Sequence, residues 1–105
     1  MARAADQGLY AGLIRLHILH HAAEEEIYGL AIIEELRRHG YRIGPGTLYP
    51  LLHGMERKGY LRSKILRRGR LARRLYRATP AGRAALARAK HKVSELFGEL
   101  FERGS

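Results

Sequence analysis

The chain has 105 residues and contains neither cysteine nor tryptophan. The missing cysteine excludes disulfides and thiolate chemistry. No stretch of about 18 apolar residues occurs, so the sequence predicts no membrane-spanning helix. The first residues also lack the apolar core of a secretory signal peptide. We therefore expect a cytoplasmic protein with no membrane partner.

Motifs for catalysis are missing as well. Ser63 and Ser94 are the only serines before Ser105, and neither lies in a nucleophile motif. Residues 44–46, Gly-Pro-Gly, lack the lysine and the spacing of a phosphate-binding loop. The carboxylates fall on helices expected at the surface, with no evident pair facing a pocket. The sequence predicts no enzyme and no cofactor.

Acidic residues are absent from residues 57–77, which hold ten lysines and arginines. The formal net charge of the whole chain is +10, so the rest of the chain is balanced. A localised basic stretch is the electrostatic signature of a polyanion-binding protein. A solvated hairpin that only aids solubility is the alternative. Nucleic acid is favoured because the stretch directly follows a helix with a polar outer face.

That helix is predicted over residues 44–59. Its inner stripe consists of apolar residues at helical spacing, Leu48, Leu51, Leu52 and Met55. Pro45 suits the first helical position, where a missing N–H costs nothing. Pro50 removes a backbone hydrogen bond, so we expect a local kink or a late helix start. The outer face is polar and basic, with Gly46, Tyr49, Pro50, His53 and Arg57.

Two further helices are predicted before it, after a frayed tail at residues 1–6. The first covers about residues 7–23 and is apolar over much of its circumference, with Leu9, Leu13, Leu16, Ile14, Ile18 and Leu19. Such a helix must be covered on more than one side, and a second subunit can cover one of them. The second covers about residues 29–39, with Leu30, Ile33 and Leu36 inward and Gly40 as C-cap.

A basic β-hairpin follows, with strands at about residues 60–66 and 73–78 and Gly69 as the turn residue. Thr79 and Pro80 then provide an N-cap and a first helical residue. The last helix is predicted over residues 80–102, with apolar residues at seven-residue spacing. Such spacing is typical of a helix that packs on another helix. A helix of ~35 Å exceeds so small a domain, which favours dimerisation over folding back.

The predicted fold class is therefore α+β, mainly α. Residues 1–78 are predicted to form a winged helix-turn-helix DNA-binding domain. Residues 79–105 are predicted to form a C-terminal dimerisation helix. A chain of this size buries only ~65% of its unfolded surface, so a partner subunit would add stability.

Several motifs resemble the PadR family of bacterial transcriptional regulators. The first is Gly46-Thr47-Leu48-Tyr49-Pro50-Leu51-Leu52, followed by Glu56 and Gly59-Tyr60-Leu61. Tyr28-Gly29, Gly69-Arg70 and residues 76–82 extend the resemblance over nearly the whole chain. The single helix after the hairpin is similar to the short branch of the family. Some positions depart from the family pattern, since Gly44 replaces a common serine cap and Gly54 a common arginine; Leu71 and Leu75 are less polar or aromatic than expected.

The resemblance implies a homodimeric DNA-binding regulator, most often a repressor, on a near-palindromic double-stranded operator. The groove-facing and phosphate-facing residues would be Thr47, Tyr49, Pro50, His53, Arg57, Lys64, Arg67, Arg68, Arg70 and Arg73. The dimer would form through Leu9, Leu13, Leu16, Leu86, Val93, Leu96, Phe97 and Leu100. Family members answer small effectors, which implies a pocket between the first and last helices, lined by Leu9, Leu13, Leu16, Leu96, Phe97 and Leu100. Without tryptophan, a flat ligand has fewer stacking partners.

Other functions remain open from the residues alone. His17 and His21 are four apart and can share a metal on one helix face, with His20 beside them. This pattern is the basis of a metal-responsive repressor as an alternative; surface histidines with no metal are the simpler reading. General nucleic-acid binding, protein interaction without DNA, and binding to anionic lipid are further alternatives. A lipid-binding protein would carry its charge on an amphipathic helix rather than a hairpin.

Overall fold

A computed structural model describes residues 7–102 as helices around one small antiparallel sheet. The tail predicted at residues 1–6 lies outside the described residues. In chain order the elements are α1 (Gln7–Glu24), β1 (Ile27–Tyr28), α2 (Gly29–Arg38), α3 (Pro45–Arg57), β2 (Leu61–Arg68), β3 (Leu71–Ala78), α4 (Pro80–Phe97) and a π-helical segment (Gly98–Glu102). The predicted class, α+β and mainly α, is confirmed. Among the described helices, none combines the length and apolarity of a membrane span.

Helix α1 lies between the core and an open surface. Ile14, Ile18 and Leu19 are buried in the core. On the other side, Leu9 is 76% exposed and Leu13 is 46% exposed. The sequence predicted that α1 must be covered on more than one side, and the core of its own chain covers one of them. The other side is left open to solvent.

Helices α2 and α3 bury one stripe each. In α2 the buried residues begin with Gly29 and recur at i+3, i+4 and i+7, as Ile32, Ile33 and Leu36. The prediction that Leu30 faces inward is wrong, because Leu30 lies about 100° away from that stripe and is 59% exposed. In α3 the inner stripe is confirmed, with Leu48, Leu52 and Met55 buried and Leu51 half-buried.

Helix α3 runs without interruption from Pro45 to Arg57, with Pro50 inside it. The expectation of a late helix start is therefore wrong. Pro50 is the sixth residue of the helix, and its missing N–H leaves the carbonyl of Gly46 without an intrahelical hydrogen bond. Gly44 precedes the helix and offers no side-chain cap, as the sequence predicted.

The sheet has the strand order β1-β3-β2. Strands β2 and β3 pair from Leu61 opposite Ala78 to Arg68 opposite Leu71. Only Gly69 and Arg70 remain in the loop, and Gly69 has a φ of 59°. A positive φ at the first loop residue alone is typical of a type II′ hairpin turn. The prediction left residues 67–72 for the turn. The turn takes only two of them, so both strands are longer than predicted.

Strand β1 was not predicted, because two residues are too few to show a periodicity. Ile27 pairs with Tyr76 and Tyr28 with Leu75, so β1 covers the second edge of β3. Tyr76 is fully buried, and its hydroxyl has no hydrogen-bond partner within residues 7–102. Burial raises the pKa of Tyr76, so the side chain stays neutral and acts as a large core residue.

Helix α4 begins against the core. The Thr79 side chain accepts a hydrogen bond from the Gly82 N–H at 2.9 Å and donates one to the carbonyl of Gly59. The predicted N-cap is therefore confirmed, and it also ties the helix to the end of α3. The helical run reaches Glu102, the last described residue, and its final five residues, Gly98–Glu102, are π-helical.

Replacing Thr79 by alanine is expected to lower the free energy of unfolding by about 1–2 kcal/mol, because a cap and a second hydrogen bond are lost together. Thr79→Ser keeps the hydroxyl and should lose less than about 0.5 kcal/mol. Urea denaturation of both variants measures the difference. Equal losses in the two variants would mean that the methyl group, rather than the cap, stabilises this corner.

Candidate nucleic-acid interface

Helix α3 presents a polar face to solvent. Pro50, His53 and Arg57 are exposed on the side opposite the buried stripe, and Thr47 is exposed at the flank of that side. Gly46 is exposed beside them and adds no side chain. The face thus has small side chains near its N-terminal end and a basic residue at its C-terminal end, which suits close approach to a nucleic-acid groove.

Tyr49 lies at the edge of that face and is half-buried. Its hydroxyl packs against Gly29 at the start of α2, so closely that a Cβ on Gly29 would overlap it. The same tyrosine thus packs α3 directly against the start of α2. The Tyr28-Gly29 motif has a packing reason, since a larger residue at Gly29 would require the Tyr49 ring to move.

The end of the hairpin, which we call the wing tip, is exposed on both faces and holds Arg67, Arg68 and Arg70. Within residues 7–102, none of these three side chains forms a hydrogen bond or an ion pair. Three exposed guanidinium groups at the end of a projecting hairpin can each donate to phosphate oxygens.

The base of the wing is held by two contacts that the sequence did not predict. Lys64 Nζ lies 2.9 Å from Glu26 Oε2, and the Arg73 guanidinium lies 4.4 Å from the centroid of the Tyr28 ring. Lys64 and Arg73 were both predicted to contact DNA, and the structure gives each a partner beside β1. These partners could not be found from the sequence because β1 itself was not predicted.

A side-chain network links the wing to α3. Ser63 Oγ donates to Glu56 Oε2 at 2.8 Å and accepts from Arg74 Nη1 at 3.0 Å. Glu56 is the only acidic residue in α3, and this is the one feature of the sequence that could have pointed to its contact with the wing. The network joins the wing to α3 through Glu56, one residue before the exposed Arg57.

A second surface is apolar and lies on α1 and α4. Its residues are large and exposed, with Leu9, Leu13, Val93, Leu96, Phe97 and Leu100 each at least 45% exposed. An open groove of about 480 Å³ runs along it, lined mainly by Leu13, Leu16, Leu86, Ala89, Val93 and Phe97. Leu9, Leu96 and Leu100 lie outside the lining of this groove. Contiguous apolar surface of this kind marks interaction sites in soluble domains.

The histidines predicted as metal ligands fall into two overlapping groups. His17 and His21 meet His39 at the end of α2, with one ligand nitrogen of each within 4.8 Å of the others. His20 instead belongs with His21 and Glu24, on α1 alone. Burial, together with the charges of His39, His21 and His20, lowers the pKa of His17. His39 was missed because nothing in the sequence brings the end of α2 to the middle of α1.

Comparison with known proteins gives one consistent result. The model of the transcriptional regulator PadR-like family matches residues 18–88. The transcriptional regulator Rv3488 of Mycobacterium tuberculosis is 54% identical over 87 residues, which cover 83% of this chain and 81% of that protein. A PadR family transcriptional regulator from Eggerthella lenta is 30% identical with a TM-score of 0.77, over 94% of this chain and 90% of the other. A PadR-like regulator from Bacillus cereus is 26% identical with a TM-score of 0.76, over 89% and 95%.

Proposed function

The chain belongs to the PadR-like family of transcriptional regulators, and from this premise we propose a homodimeric repressor that binds a near-palindromic DNA operator. Membership of the family implies DNA-binding regulation and not an enzymatic activity. The observation that carries the finer proposal is the exposed polar and basic face of α3, together with the exposed arginines of the wing tip. DNA binding is assigned to residues 1–78 and dimerisation to the helix in residues 79–105, with help from α1.

Helix α3 is the element that enters the major groove. Its exposed His53 and Arg57 can donate to base edges or phosphates, while Thr47 reaches a phosphate near the helix start. Pro50 and Gly46 let the helix approach closely. Two such helices in a dimer would occupy successive major grooves, ~34 Å apart.

The wing supplies affinity without sequence preference. Arg67, Arg68 and Arg70 contact phosphates or the adjacent minor groove, since they have no partner within residues 7–102. Lys64 and Arg73 lie nearer the base of the hairpin, where Glu26 and Tyr28 hold them. Their contribution to DNA binding is therefore smaller than that of the wing tip.

The apolar surface of α1 and α4 is the dimer interface. Its large apolar side chains remain exposed in the single chain and include Val93 and Leu100 of the seven-residue repeat, whereas Leu86 is partly buried against the core. Burying them against a second copy would remove this surface from water at about 25 cal/mol per Å². We expect the last helices of the two copies to pack along the residues at seven-residue spacing, as in a coiled coil.

Replacing Leu13 or Phe97 by glutamate is expected to raise the dissociation constant of the dimer at least about a hundredfold, because a charge would be buried without a partner. Leu71→Glu is the matched control, since Leu71 is 64% exposed but lies on the wing. Sedimentation equilibrium measures all three. An unchanged dimer in Leu13→Glu and Phe97→Glu would contradict the assigned interface.

Repression would be relieved through the groove between α1 and α4. The groove is lined mainly by apolar side chains, which suits a small apolar or aromatic effector. An effector seated there would contact the dimer interface and change the distance between the two α3 helices. The operator is released if the effector binds more tightly to the dimer with the altered distance between the α3 helices than to the DNA-binding dimer.

Selection from a random pool of duplexes tests the proposed operator. A dimeric reader predicts enrichment of an inverted repeat whose half-sites lie about 10 base pairs apart. Enrichment of a single half-site would contradict the dimeric arrangement. A pool that stays random after repeated rounds would leave only general polyanion binding.

A further inference from the structure

We propose that His17, His21, His39 and Glu35 form a binding site for a divalent transition-metal ion of the Zn²⁺ class, joining α1 to the end of α2. The site lies apart from α3 and the wing tip. It therefore goes beyond the proposed DNA-binding function and can be tested without DNA.

The four side chains form two pairs, each four residues apart on its own helix. His17 and His21 lie on α1, while Glu35 lies on α2 and His39 is its C-cap. Residues at i and i+4 lie on one helix face, so each helix offers two donors toward the other. Donors from two packed helices can surround an ion, whereas those of a single helix cannot.

The donor atoms lie near the distances of a tetrahedral site, and some of them are further apart. With metal–ligand distances of 2.0–2.2 Å, neighbouring ligand atoms in a tetrahedral zinc site lie about 3.3 Å apart. Glu35 Oε2 lies 3.1 Å from His39 Nε2 and 3.6 Å from His21 Nε2. One ring nitrogen of each histidine lies within 4.8 Å of one ring nitrogen of the other two. Small side-chain rotations would close this remaining gap around an ion.

The ligands are oriented by their surroundings. Arg38 Nη1 donates to Glu35 Oε1 at 2.8 Å, which leaves Oε2 turned to the histidines. The ring of His17 packs on that of Tyr41, with centroids 5.4 Å apart. Backbone bonds from Gly40 to Arg37 and from Tyr41 to Leu36 close α2 in a Schellman motif that fixes the backbone of His39. Such outer contacts hold metal ligands in place.

The donor set selects the class of ion. Three imidazoles and one carboxylate suit Zn²⁺, Co²⁺, Ni²⁺ or Cu²⁺. Calcium and magnesium prefer oxygen ligands alone. The overlapping group of His20, His21 and Glu24 fits less well, because His20 and Glu24 are 49% and 65% exposed and lie 3.8 Å apart on one helix.

Titration of the intact protein with Zn²⁺ by calorimetry tests the site, with Co²⁺ and visible absorption as a second probe. The expected result is one ion per chain and the intense Co²⁺ absorption of tetrahedral coordination. His17→Ala and His39→Ala should each weaken Zn²⁺ binding at least about a hundredfold. Circular dichroism verifies that both variants remain folded.

Two control variants keep the test specific. His91→Ala removes an exposed histidine of α4, far from the cluster in the chain, and His20→Ala removes the nearest histidine outside the proposed set. Both should bind Zn²⁺ within about threefold of the unaltered protein. The proposal is overturned if the intact protein binds no Zn²⁺. It is equally overturned if His20→Ala abolishes binding while His39→Ala leaves it unchanged.

Discussion

Alanine at Arg67, Arg68 and Arg70 together is expected to weaken operator binding at least about a hundredfold at ~0.1 M salt. Each phosphate contact that is lost lowers the slope of log K against log salt by about 0.9. In a dimer every substitution acts twice. The loss should be similar on operator and on scrambled duplex, because phosphate contacts carry no sequence information. Fluorescence anisotropy across a salt series measures both quantities.

A matched variant removes the same charge elsewhere. Alanine at Arg83, Arg88 and Lys92 also lowers the charge by three per chain, on an exposed part of α4. It should leave the salt slope within about one unit of the unaltered protein. Equal weakening in the two triple variants would mean that net charge, rather than the wing tip, determines affinity. A loss confined to the operator would mean that the wing reads sequence.

Gly82→Ala is expected to lower the free energy of unfolding by about 3 kcal/mol, at the upper end of the cost of overpacking. A Cβ at this position would overlap the backbone carbonyl oxygen of Tyr60 and lie 3.2 Å from Leu19 Cδ1. That carbonyl is already held by the Thr79 N–H at 3.0 Å, so it cannot move away without losing a hydrogen bond. Thermal unfolding should show a fall in Tm on the order of 15 °C.

Gly54→Ala is the control, since Gly54 also lies in a helix but has space. The nearest atom to a Cβ there is Arg57 Nη2 at 3.8 Å, an ordinary contact. The substitution should stabilise the protein by up to about 1 kcal/mol through helix propensity. A Gly82→Ala protein as stable as Gly54→Ala would show that α4 does not pack on Tyr60 as the structure has it.

The helices were predictable because their apolar residues repeat over several turns. Leu48, Leu52 and Met55 mark the inner face of α3, and the same repeat leaves His53 and Arg57 outside. Leu30 was misplaced because its helix is short and the true stripe begins with Gly29, which has no side chain to reveal it. The buried face of a short helix can therefore be assigned from its apolar stripe only where the first residue of the stripe is itself apolar.

Contacts between distant parts of the chain were not predictable. Glu26 meets Lys64, and Tyr28 meets Arg73, because β1 joins the edge of β3. A two-residue strand carries no period, so neither contact can be inferred from spacing. The pairing of His17 with His39 depends likewise on how α1 crosses α2. The positive charge of the wing could be predicted from the sequence. The structure was needed to show which of its basic side chains, such as Lys64 and Arg73, contact other residues of the chain.

The most direct test of the central claim is fluorescence anisotropy of the intact protein on its selected duplex and on a scrambled duplex, across a salt series. A repressor that reads DNA through α3 and holds it through the wing predicts tighter binding to the selected duplex by about 10³-fold, with a steep salt slope on both. Equal binding to the two duplexes would contradict sequence reading by α3. An absence of binding to either duplex at low salt would contradict the whole interface.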